Sequence, residues 1–175
     1  MKTLPHPHKK VVHNLIVVHD GRCSPITPPN HKEPPLMDAL YSTEALATGA
    51  GRNGHAATAD GSLEFSMAIP KEMGGSGEGA NPEQLFALGY AACFHSALQS
   101  VARAEKKDLG DSSVGARVSI GKQGEGFGLA VDLEVVIPAL EQEEAQALAD
   151  AAHQVCPYSN ATRGNIPVTV TVSRD

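Results

Sequence analysis

The sequence predicts an α+β domain in which antiparallel sheet packs on a long central helix, preceded by an extension of different character. Three observations lead there. The elements read in the order βββ-α-ββ-α-β, without the regular βαβ alternation of a doubly wound fold. One helix is apolar or small on nearly every face between Leu85 and Val101, which in an 18.3 kDa chain marks a core helix. At 175 residues there is material for one substantial core rather than two.

Residues 1–36 hold seven of the twelve prolines and five of the eight histidines, with little periodicity. Such a composition does not bury enough apolar surface to fold alone, so this segment is read as a mobile extension and residues 37–175 as the domain. A metal site on His6, His8 and His13 is conceivable there, but a solvated tail is the simpler reading. From Tyr41 the pattern turns to strands over about 41–48, 55–59 and 63–69, the last alternating Leu63, Phe65, Met67 and Ile69 with Glu64, Ser66 and Ala68. Gly51-Arg52-Asn53-Gly54 and Asp60-Gly61 mark the turns, with Asn-Gly and Asp-Gly expected to supply positive φ. Arg52 is thereby placed on an exposed hairpin tip.

After the flexible run Gly74 to Gly79, Asn81-Pro82-Glu83-Gln84 reads as a helix start, with Asn at the N-cap, Pro at N1 and Gln at N3. The helix runs to about 107 and carries Cys93 in its middle, on one stripe with Phe86, Gly89, Tyr90 and Ala97. A second hairpin follows over roughly 113–120 and 127–137, and its second strand alternates Phe127, Leu129, Val131, Leu133, Val135 and Ile137 with smaller or polar residues. A helix over 141–155 begins with Glu141, Glu143 and Glu144 at the positive end of its dipole, and Pro157 ends it. Ile166, Val168, Val170 and Val172 form a last strand.

Charge and composition exclude several classes. Residues 1–36 carry five Lys/Arg against two Asp/Glu, so the acidic excess lies in the rest of the chain, which argues against nucleic-acid binding. No uninterrupted apolar run reaches about 18 residues, and Val11 to Val18 is broken by His13 and Asn14 with no cleavage site after it, so a soluble, cytoplasmic protein is expected. Neither a dinucleotide fingerprint nor a phosphate loop is present, since the glycine run 74–79 lacks the Lys-Ser/Thr ending.

Three cysteines are too few for a disulfide-stapled domain, and an odd number leaves one thiol over. Cys93 is mid-helix, whereas Cys156 sits where the following proline stops a helix. One fixed sulfur and one able to move suit a two-thiol cycle, in which a thiolate becomes a sulfenic acid and is captured as a disulfide. Burial would push the Cys93 thiol up, and lowering it by two to three units takes roughly 3–4 kcal/mol, about what one guanidinium at ~4 Å supplies at an effective dielectric of ~20. Arg52 is the candidate for that cation and Glu83 for the carboxylate that orients it bidentately. Ten helical residues separate Glu83 from Cys93, ~15 Å along the axis, which strains the reach of one arginine within a subunit and points to a site shared between two chains. The plain alternatives are a small buried core residue for Cys93, a helix-end residue for Cys156 and a solvated arginine.

The segments Gly51-Arg52-Asn53-Gly54, Pro70-Lys71-Glu72-Met73-Gly74-Gly75, Asn81-Pro82-Glu83-Gln84-Leu85-Phe86, Gly89-Tyr90-Ala91-Ala92-Cys93-Phe94 and Val155-Cys156-Pro157-Tyr158-Ser159-Asn160-Ala161-Thr162-Arg163-Gly164-Asn165 resemble the organic hydroperoxide resistance proteins of the Ohr/OsmC family. The resemblance covers about 38–173. It implies an OsmC/Ohr-like intertwined homodimer with active sites at the subunit interface, reducing organic and fatty-acid hydroperoxides. It also implies Cys93 as the peroxidatic cysteine, Cys156 as the resolving one, Arg52 as the activating arginine and Glu83 as its carboxylate. No bound cofactor is implied; the reductant it implies is an external dithiol on a lipoylated protein. Residues 1–36 with Cys23 fall outside the resemblance, and Cys23 is read as a bystander thiol. The organic group of the substrate is expected against Phe86, Tyr90 and Phe94. Two rivals stand beside this reading: a zinc-binding protein using Cys93, His95, His153 and Cys156, and a non-enzymatic protein of the same fold that uses the apolar helix for assembly.

Overall fold

The computed structural model describes residues 16–19, 22–25 and 38–173. The chain divides at Ser42 and Thr43 into two units. In the first, strands β1 (Ile16–His19) and β2 (Arg22–Pro25) pair antiparallel, with Ile16 opposite Pro25 and His19 opposite Arg22. His6, His8 and His13, and with them most of the expected extension, lie outside the described residues.

The second unit opens with an antiparallel meander of β3 (Ala45–Thr48), β4 (His55–Thr58) and β5 (Glu64–Ser66). These strands are shorter than the alternation suggested, and the β3–β4 turn differs in kind. Positive φ falls on Gly49 and Gly51, not on the Asn-Gly pair, and Gly51–Asn53 form a 3-10 turn. Gly54 is required for a different reason: a Cβ there would meet the Thr48 carbonyl oxygen at 2.1 Å. The Asn53 side chain accepts the Ile69 N–H at 3.0 Å. The β4–β5 turn is ordered by Asp60, which accepts from the Thr58 hydroxyl and from the Ser62 N–H and hydroxyl at 2.6–3.0 Å. None of the described meander residues enters the hydrophobic core of the chain.

Helix α1 (Pro82–Ala104) starts with the capping box read from the sequence: Gln84 N–H donates to Asn81 Oδ1 at 2.9 Å, and Asn81 N–H donates to Gln84 Oε1 at 3.0 Å. It stops three residues before the expected 107. Lys106 takes φ 56, Lys106 N–H returns to the Arg103 carbonyl and Lys107 N–H to that of Ala102, a Schellman ending built without glycine. By length and composition α1 could cross a membrane, but Tyr90, Phe94, Ala97, Leu98 and Ala102 are core residues.

Strands β6 (Ser113–Gln123) and β7 (Gly126–Val136) form a long antiparallel ribbon, and β8 (Val168–Ser173) adds to β7 in parallel. The sheet order β6-β7-β8 puts β7 in the centre, and its Val131, Leu133 and Val135 are fully buried against α1 and α2 (Gln142–Val155). Each such side chain contributes roughly 1.5–3 kcal/mol of burial. Pro157 does end α2, but it also opens an unexpected short helix, α3 (Pro157–Thr162), with Pro at N1. Cys156 is the joint between the two helices.

Candidate active site

Two pairs of residues form against α1, one at its first turn and one near its middle. At its start, Glu83 meets Arg52 in a bidentate fork, Nη1 to Oε2 at 2.8 Å and Nη2 to Oε1 at 2.6 Å. The side chains are 35% and 13% exposed, so Arg52 is held on the protein surface and not left solvated at a hairpin tip. The guanidinium holds the Glu83 carboxyl below the usual carboxylate range against the opposing effect of burial. In turn, the carboxylate raises the Arg52 pKa further.

Ten residues along, Cys93 and Cys156 face one another. The Cys156 thiol donates to Cys93 Sγ at 3.6 Å. Cys93 is half-buried, whereas Cys156 is fully buried within the core. This corrects the expectation of a mobile second sulfur. The proline does stop α2, but Cys156 N–H is bonded to the Ala152 carbonyl and the Cys156 carbonyl to Asn160 N–H, so the joint is pinned on both sides. No swing is needed to bring the sulfurs together.

Burial pushes the Cys93 thiol up, and the hydrogen bond from Cys156 adds to this; the Tyr158 backbone N–H, from the first turn of α3, works in the opposite direction. Among the described residues no guanidinium acts on Cys93. The structure therefore joins Arg52 to Glu83 and Cys93 to Cys156, but within one chain it does not join the two pairs. The separation along α1 explains this.

Of the three expected substrate contacts, Tyr90 and Phe94 are 0% exposed, so their rings serve the core. Phe86 is only partly buried, and the aromatic surface beside the sulfurs is completed by Tyr158, which stacks on Phe86 at 5.9 Å between centroids and tilts against Tyr90 at 5.6 Å. Tyr158 is 37% exposed. The sequence reading does not single out Tyr158 because Pro157 stands there only as a stop; its second meaning, an N1 proline opening a helix, is the signal that would have found it.

A hydroxyl network ties α1, α2 and α3 together. Tyr90 Oη donates to Ser159 Oγ at 3.0 Å and lies 3.1 Å from Thr162 Oγ1; Ser159 Oγ also meets His153 Nδ1 at 2.9 Å. Burial lowers the His153 pKa, helped by Arg163. His95 is engaged elsewhere, with Nε2 at 3.1 Å from Ser112 Oγ. The four ligands of the zinc alternative are thus not drawn together, and no group of three or more potential metal ligands occurs among the described residues.

Residues 75–171, which include Glu83, Cys93 and Cys156, match the family of OsmC-like proteins. The chain belongs to the OsmC-like family. Its relatives in this family include an organic hydroperoxide resistance protein of Xanthomonas axonopodis pv. citri, 51% identical over 136 residues, 77% of this chain and 95% of the relative. The organic hydroperoxide resistance protein OhrB of Bacillus subtilis is 45% identical over 132 residues, 74% of this chain and 96% of its own length. The crystal structure of an organic hydroperoxide resistance protein from Elizabethkingia anophelis superposes with a TM-score of 0.75 at 53% identity, covering 79% of this chain and all of that one. The α+β fold with its long helix is that of the OsmC-like proteins.

Proposed function

We propose that the chain is a thiol peroxidase that reduces organic hydroperoxides to alcohols and so confers resistance to them. The observation that carries this reading is the Cys93–Cys156 pair: one partly accessible thiol and one buried thiol 3.6 Å apart, already arranged for capture. The Cys93 thiolate attacks the terminal peroxide oxygen, the O–O bond breaks, and the alkoxide leaves as the alcohol after taking a proton. Cys93 becomes a sulfenic acid. Cys156 attacks that sulfur, water leaves, and the disulfide forms after the sulfurs close from 3.6 Å to about 2.05 Å.

The missing cation comes from a second copy. Arg52, preset by Glu83, acts on the Cys93 of its partner in a homodimer, favouring the thiolate and the developing negative oxygen. Two features support assembly. The meander lacks a core of its own within the chain, and α1 leaves an apolar cleft of about 470 Å³ lined by Phe65, Leu85, Leu88, Ala91, Val114 and Ala116. Leu88 is 68% exposed on that face. The organic group of the substrate lies on Phe86, backed by Tyr90 and Phe94, and a lipoylated protein in the cytoplasm supplies the dithiol that reopens the disulfide.

Titration of free thiols after mixing reduced protein with cumene hydroperoxide or hydrogen peroxide tests the proposal. Loss of two thiols per hydroperoxide, with the organic peroxide reacting faster, is expected. Unchanged thiols after excess cumene hydroperoxide would refute it.

A further inference from the structure

We infer that the reducing dithiol enters through Cys93, not Cys156, so that the covalent enzyme–reductant intermediate is a mixed disulfide on the peroxidatic sulfur. The inference rests on the two-cysteine cycle proposed above and adds to it which sulfur the reductant attacks. Thiol–disulfide exchange is an in-line attack, so the sulfur that reacts must be open on the side away from its partner. Cys156 fails this requirement. It is 0% exposed, belongs to the core with Tyr90, Phe94, Leu148 and Ala152, and its backbone is bonded on both sides of the α2–α3 joint. Ser159, three residues on in α3, is itself 0% exposed and is held by Tyr90 Oη at 3.0 Å and His153 Nδ1 at 2.9 Å. Cys93 is partly exposed on α1.

The electrons follow this route. One sulfur of the dithiol, as thiolate, bonds to Cys93 Sγ; the Cys93–Cys156 bond breaks and its electron pair stays on Cys156, which takes a proton and becomes a thiol. The second sulfur of the dithiol, deprotonated, then attacks the first, forming a cyclic disulfide and releasing Cys93 as thiolate. That leaving group is favoured by the Tyr158 backbone N–H, which works to lower the Cys93 pKa. A dithiol suits the site because the second step takes place on the reductant and needs no further entry into the protein.

The test separates this inference from the peroxidase reading, because the disulfide is made with diamide instead of hydroperoxide. Remaining thiols, including Cys23, are first capped with iodoacetamide; the oxidised protein is then pulsed with cysteamine, quenched in acid and digested with trypsin. Cleavage after Lys71 and Arg103 isolates Cys93, and cleavage after Lys122 and Arg163 isolates Cys156. The cysteamine adduct is expected on the Cys93 peptide with free thiol on the Cys156 peptide; the reverse overturns the inference. A second measurement compares Cys156→Ser and Cys93→Ser proteins carrying a 2-nitro-5-thiobenzoate mixed disulfide on the remaining site cysteine. Dihydrolipoamide should release the chromophore from Cys93 at least about tenfold faster. Equal rates, or faster release from Cys156, overturn it.

Discussion

A Cβ added to Gly89 would lie 2.8 Å from the Tyr158 hydroxyl and 3.2–3.3 Å from two of its ring carbons, so the bare helix surface at position 89 is the seat of the Tyr158 ring. The ring is held there by Phe86 and Tyr90, and the backbone N–H of Tyr158 works to lower the Cys93 pKa. Filling position 89 therefore shifts a donor to the reactive sulfur. Gly89→Ala is expected to cost about 1–3 kcal/mol from overpacking and to raise the Cys93 pKa, read as thiolate absorbance near 240 nm against pH. Adding Tyr158→Phe removes the tightest contact and should recover part of the stability. An unchanged titration in Gly89→Ala would show that the ring does not control the N–H.

The two cysteines should fail differently. Cys93→Ser is expected to abolish turnover. Cys156→Ser should complete one oxidation and then accumulate sulfinic acid, because no second thiol stands 3.6 Å away to capture the sulfenic acid. Intact mass after stepwise hydroperoxide additions distinguishes them. Full activity in either variant would contradict the two-thiol cycle.

The long stretches are legible because their signals extend over many residues: the nearly unbroken apolar run of α1 with its capping box, and the alternation of the β6–β7 ribbon, all mark elements that occur close to where expected. Short-range signals with two meanings are not. Pro157 reads equally as the end of one helix or the first residue of another, so α3 was missed, and with it Tyr158, Ser159 and Thr162. The end of α1 at a left-handed lysine and the parallel pairing of β8 have no local signature at all. Pairwise chemistry fared better than exposure. Arg52 with Glu83 and Cys93 with Cys156 are paired in the sequence reading as in the structure, and the apolar run already marks Tyr90 and Phe94 as core, whereas the full burial of Cys156 depends on tertiary packing that no motif encodes.

The Arg52–Glu83 fork carries a pH signature. Because the Glu83 pKa is lowered in the fold, the stabilisation from the pair is full above the ordinary glutamate range and is lost as pH falls through the lowered value. The melting-temperature difference between wild type and Glu83→Gln should accordingly be constant near neutrality and shrink in acid. A difference that grew on acidification would reverse the sign and exclude the assignment. At neutral pH, Arg52→Lys keeps the charge but loses the fork, and peroxidase kcat/KM is expected to fall by about 10²-fold, as for removal of one preorganised donor.

The proposed action of Arg52 on the Cys93 of a partner chain is open to complementation. Arg52→Ala and Cys93→Ser homodimers should each be inactive or nearly so. In a mixed dimer, the Cys93 of the Arg52→Ala chain faces the intact Arg52 of the other chain, restoring one site of two, while the second site lacks both groups. Mixing equal amounts under conditions that exchange subunits should therefore regain about a quarter of wild-type activity, since half of the dimers are mixed. An arginine acting within its own chain predicts no recovery, because each chain would still lack one member of its own pair. The ten-residue separation of Glu83 and Cys93 along α1, with Arg52 tied to Glu83, favours recovery.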